Sequence, residues 1–160
     1  MKDAIEFSQE DLAAMMDGLH AGATIGDVVN IGQDNLEAGY GLAYSLYSAG
    51  NYKDAETMFK ALCIYDHTDV RFWMGLGGCR QVNGDLVAAI DAYACGSYAG
   101  ALGDPAPAVH GALCYMKLGD RENAVNLFKA ALEMGNPDNS EHAAFHTRAK
   151  AMLDMLEKGE

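Results

Sequence analysis

Trp73-Met74-Gly75-Leu76-Gly77-Gly78-Cys79-Arg80-Gln81-Val82-Asn83-Gly84-Asp85, with Ala89 and Tyr93 beyond it, is the stretch whose reading decides the fold. Gly84 has counterparts at Gly50 and Gly119, 34 residues before it and 35 after. Each glycine is followed by an alanine and then, four residues further on, by an aromatic: Ala55 and Phe59, Ala89 and Tyr93, Ala124 and Phe128. A glycine followed by Asn51, Asp85 or Asp120 reads as a turn that ends one helix and caps the next. Residues four apart share a helix face, so the alanine admits a close neighbour and the ring fills the space beside it. Three copies of a helix–turn–helix unit therefore follow one another.

A period of about 34 residues, with the Trp73-x-x-Leu76-Gly77 opening, is the tetratricopeptide repeat (TPR) signature. Such units stack into a solenoid with a concave face for binding. The turn signals place helix pairs at roughly 35–49 and 52–65, 70–82 and 86–99, and 106–118 and 121–134. The expected organisation is all-α: an amino-terminal helix and linker over 1–34, and three TPRs over 35–136 (about 35–69, 70–104 and 105–136). A carboxy-terminal capping helix over 137–160 completes a single folded domain.

Outside the repeats, Ser8 is a natural cap for a helix carrying Leu12, Met15, Met16 and Leu19, which should stop at Gly22. Residues 24–33 read as a linker with one short helical turn. Asp104-Pro105 and Pro107 start the third repeat, and Gly135-Asn136-Pro137 stops it. A last helix over about 140–158, capped by Ser140, covers the solenoid end with Ala144, Phe145, Ala149, Met152, Leu153 and Leu156. Glycine is frequent, 18 of 160 residues, and several sit inside helices. Each costs about 0.8–1 kcal/mol against alanine there, unless it admits a close helix contact.

The chain carries 11 basic and 23 acidic residues, a formal net charge of −12. That argues against nucleic acid, whose phosphates need clustered Lys and Arg. It fits a basic partner, or an apolar one that needs a soluble carrier. Half the residues are hydrophobic and 21% are charged, as in a folded domain. Met1-Lys2-Asp3-Ala4-Ile5-Glu6-Phe7 has no basic region followed by an apolar run, so no secretion signal is expected. No stretch approaches a membrane span. Cys63, Cys79, Cys95 and Cys114 form no Cys-x-x-Cys pair and read as buried, reduced thiols.

The helix faces turned to the groove are, in the first repeat, Glu37, Tyr40, Tyr44 and Tyr47, because Leu42, Ala43 and Leu46 occupy the packing positions. The same positions in the second repeat are Arg71, Met74, Gly78 and Gln81. In the third they are Ala106, Val109, Leu113 and Met116. Tyrosines joining apolar area to a hydroxyl suit an extended peptide, and alanine at all three is expected to abolish binding with helicity largely kept. His142 and His146 are four apart, but no third ligand accompanies them, so no metal is expected. No catalytic or phosphate-binding motif is present, and neither enzymatic activity nor a cofactor is expected.

Leu62-Cys63-Ile64-Tyr65-Asp66-His67, the Trp73–Gln81 run, Ala89-Ile90-x-x-Tyr93 and Asp104-Pro105…His110…Cys114 resemble one TPR family. Gly22-Ala23-Thr24 and Gly39-Tyr40-x-Leu42-Ala43-Tyr44 fit as well. The family is the class II chaperones of bacterial type III secretion systems, which look after hydrophobic translocators. Gly39 and Ala106 depart from its pattern, where a bulkier and a basic residue are usual. The resemblance implies a non-enzymatic, cytoplasmic chaperone, active in virulence, that binds an extended amino-terminal translocator segment in the groove. It also implies a homodimer of the free protein through the amino-terminal helix, without direct nucleic-acid binding or membrane insertion. Carried over by position, the partner-binding candidates are Tyr40, Tyr44, Tyr47, Arg71, Met74, Gln81, Val109, His110 and Leu113. The alternative from the repeats alone is a general TPR adaptor or regulatory interaction subunit.

Overall fold

The computed structural model describes residues 8–159; residues 1–7, read above as no secretion signal, lie outside it. A helix α1 (Gln9–His20) and a single turn α2 (Ile25–Val28) lead into three helix pairs. These are α3 (Gln33–Ser48) with α4 (Tyr52–Tyr65), α5 (Val70–Asn83) with α6 (Leu86–Ala99), and α7 (Ala106–Leu118) with α8 (Arg121–Leu132). α9 (Ser140–Lys158) follows. From α3 onward each helix packs on the next, and beyond these neighbours α3 also touches α5 and α7 touches α9. The result is an all-α solenoid of three TPRs with an amino-terminal helical region and a carboxy-terminal capping helix.

The turns follow the chemistry of their residues. Gly50, Gly84 and Gly119 have φ of +81°, +88° and +76°, a region where a Cβ is strained. Asp85 and Asp120 then cap α6 and α8 by accepting from the backbone N–H of Ala88 and Asn123. Asn51 differs: its side chain instead donates to Asp54 at 2.6 Å. Ala55, Ala89 and Ala124 are wholly buried, and Phe59, Tyr93 and Phe128 beside them nearly so. The core runs along the solenoid as clusters centred on Phe59 and Phe72, on Tyr93, and on Phe128.

Four expectations need correction. Leu42 is 52% exposed and Cys95 is exposed, so neither is a packing residue. The other three thiols are buried, and burial pushes Cys63 up to about 12 and Cys79 to about 11. α9 is capped by Asn139, which accepts from the N–H groups of Glu141 and His142; Ser140 is the first helical residue. Most consequential, Val109 is fully buried in the cluster that holds Ala149 and Leu153 of α9, and Leu113 packs against that cluster. Beyond Ala106, the third repeat's groove positions therefore join the core that the capping helix shares.

Candidate functional site

A cleft of about 520 Å³ runs along the solenoid, walled by α3, α5, α7 and α9. Seven of the nine candidates line it together: Tyr40, Tyr44 and Tyr47 from α3, Arg71, Met74 and Gln81 from α5, and His110 from α7. Val109 and Leu113 do not. Residues read above in other roles, or not singled out, add to it: Phe59, Tyr93, Val70, and from α9 Glu141, His142 and Phe145.

The three tyrosines are not equivalent. Tyr40 is half-buried, with its ring 6.1 Å from Phe59 and 5.9 Å from Phe72. Tyr47 meets Tyr52 edge-on at 5.2 Å, and burial raises its pKa. Tyr44 is 58% exposed and offers its ring to the cleft. Tyr40 is therefore shared between core and cleft, while Tyr44 is free to meet a ligand.

Arg71 looks at first like an anion site. Its guanidinium instead bonds both Glu37, at 2.5 Å, and Asp69, at 2.6 Å, and lies 4.9 Å over the Tyr40 ring. The bonds to Asp69 and Glu37 raise its pKa further, and the bond to Arg71 lowers that of Glu37. Two carboxylates on one guanidinium leave no positive charge for a peptide carboxylate. What Arg71 presents is a flat, already paired guanidinium face that lies over Tyr40 and holds that ring in place.

At the other end His110 stacks on Tyr93 at 5.4 Å and meets Phe145 edge-on at 5.9 Å. Burial, then the positive charge of Arg148, lowers its pKa, with Asp104 opposing. In the unfolded chain His110 takes up a proton near 6.5, whereas the folded protein takes it only at lower pH. Between those points the unfolded state binds more protons, so stability is complete above 6.5 and falls as pH drops through the window. The urea midpoint is expected to decline between pH 7 and pH 5, less so in His110→Phe. An equal decline in both proteins would show that His110 is not the cause. Glu37 and Glu56, whose pKa values are lowered, lose their contribution only in a more acidic range.

The paired histidines of α9 are structural. His142 Nδ1 accepts from the Asn136 N–H at 2.9 Å, and the buried His146 Nε2 sits 2.8 Å from the Met134 carbonyl oxygen. Among the described residues no three His, Cys, Asp or Glu side chains gather to hold a metal. No helix among them is long and apolar enough to cross a membrane. The cleft is thus an aromatic-lined channel with a few fixed polar groups, a surface for an extended apolar segment.

A tetratricopeptide-repeat family model matches residues 40–105. The low calcium response locus protein H of Yersinia pestis is 36% identical over 149 residues, 93% of this chain and 88% of that protein. The Yersinia enterocolitica type III secretion translocator chaperone SycD superposes with a TM-score of 0.77 at 36% identity, covering 84% of this chain and 98% of SycD. Pseudomonas aeruginosa PcrH, solved in complex with the chaperone binding region of PopD, superposes at 0.74 with 35% identity, covering 80% and 95%.

Proposed function

Since this chain belongs to the family of type III secretion translocator chaperones, we propose that its cleft captures an extended segment of a hydrophobic translocator and keeps that protein soluble before secretion. The observation that carries this reading is the continuous aromatic channel across α3, α5, α7 and α9. Its tyrosines supply anchoring area at low entropic cost, and the acidic exterior keeps the complex apart from its neighbours. The work is done in the cytoplasm by binding alone, without catalysis or cofactor. Two relatives support the partner class: SycD, a translocator chaperone, and PcrH, solved with the chaperone binding region of PopD.

Self-association of the free protein belongs to the same proposal. α1 has no buried residue, and Leu12, Met16 and Leu19 are each at least 41% exposed. An apolar helix face left open in this way fits a second copy.

Co-expression with candidate hydrophobic type III translocators tests the function. A translocator that is insoluble alone should appear in the soluble fraction as a co-purifying complex. If it stays insoluble with the chain present, the chaperone reading is wrong.

A further inference from the structure

The three repeat aromatics are Phe59, Tyr93 and Phe128, so only the middle one carries a hydroxyl. That ring cannot turn away. Tyr93 is 2% exposed, presses on the place where a Cβ of Gly77 would sit, and stacks on His110. Its hydroxyl reaches Gln81 in the cleft wall and donates to Oε1 at 2.9 Å. Burial raises the Tyr93 pKa, so the phenol stays a neutral donor at physiological pH. With Oε1 engaged, the Gln81 NH2 group has no bond to the described residues, and it lies on a wall that is otherwise mostly apolar.

We propose that the Tyr93 hydroxyl is a positioning group: it fixes the Gln81 amide so that its NH2 donates to a backbone carbonyl of the captured segment. A carbonyl within a helix is already bonded to its own chain, whereas an extended segment has carbonyls to spare. The Tyr93–Gln81 pair thereby selects extended backbone independently of side-chain identity. This deepens the groove reading and rests on it.

The probe is a set of fluorescein-labelled peptides tiling the amino-terminal region of the co-purifying translocator, with the tightest binder titrated by anisotropy. Gln81→Ala is expected to weaken it about tenfold, the scale of one neutral hydrogen bond. Tyr93→Phe, with helicity and melting near wild type, should weaken it roughly three- to tenfold. The double variant should be no weaker than Gln81→Ala, because the hydroxyl acts only through the amide. Gln81→Glu keeps the acceptor for Tyr93 and removes the donor, so it should lose as much as Gln81→Ala. Wild-type affinity in Tyr93→Phe, additive losses in the double variant, or retained affinity in Gln81→Glu each overturn the relay while leaving the groove in place. Indifference of the tightest peptide to Gln81→Ala and Tyr44→Ala alike, or no binding by any tile, overturns the groove reading itself.

Discussion

Replacing Tyr44 and Tyr47 together by alanine is expected to abolish co-purification of the translocator while the far-ultraviolet circular dichroism stays near wild type. A buried interface tyrosine costs about 2 kcal/mol or more when truncated, so the pair should weaken binding on the order of a hundred- to a thousand-fold. The third tyrosine of the stripe is left in place for a structural reason. Tyr40 packs against Phe59 and Phe72 and lies under the Arg71 guanidinium. Its removal opens the first core cluster, at a cost of the kind that large-to-small core changes bring, about 2–5 kcal/mol. The triple change that the sequence recommends would therefore confuse lost binding with lost stability. Translocator that still co-purifies with the Tyr44→Ala/Tyr47→Ala protein would remove the tyrosine wall from the binding site.

The difference between Tyr40 and Tyr44 marks where sequence reading stops. The period, the left-handed glycines and the alanine–aromatic pairs were all legible, because each is a local rule repeated three times. Residues on the first helices of the repeats fell in the cleft wherever a following repeat left them uncovered, as in α3 and α5. In the third repeat that register failed beyond Ala106. α9 packs where a fourth repeat would begin, and Val109 and Leu113 join the core beside it, leaving Ala106 and His110 as the cleft-facing groups of α7. α9 carries no Gly–Ala–aromatic pattern, so it did not read as a repeat element. One signal was nevertheless available: Glu141 and Phe145 stand 35 residues after Ala106 and His110, the spacing of the repeat itself. All four line the cleft. Tyr93 was legible only as a core ring, since periodicity reports a side chain's direction and not the reach of its hydroxyl.

Composition was least informative about the helix-interior glycines, and there the structure predicts opposite outcomes on neighbouring elements. In α5, a Cβ on Gly75 would run into the Phe59 ring, and one on Gly77 would come within 2.5 Å of the Tyr93 ring. Both rings are buried, and Tyr93 is held further by Gln81 and His110. Neither can step aside cheaply. Alanine at either position should cost about 1–3 kcal/mol through overpacking, which outweighs the gain of about 0.8–1 kcal/mol in helix propensity. Net of that gain, the double variant Gly75→Ala/Gly77→Ala is expected to lose up to about 4 kcal/mol of the roughly 5–15 kcal/mol that holds a domain folded. Because Phe59 and Tyr93 also line the cleft, binding should fall with stability. Gly41, in α3, is the opposite case: a Cβ added there would have nothing within 4 Å. There Gly41→Ala should gain about 0.8–1 kcal/mol, a rise of roughly 2–4 °C in melting temperature for a chain of this size. Thermal unfolding of the two proteins side by side decides the matter. If Gly75→Ala/Gly77→Ala melts no lower than wild type, the glycines of α5 are not there to admit the rings, and the close packing of α4 and α6 against α5 has another cause.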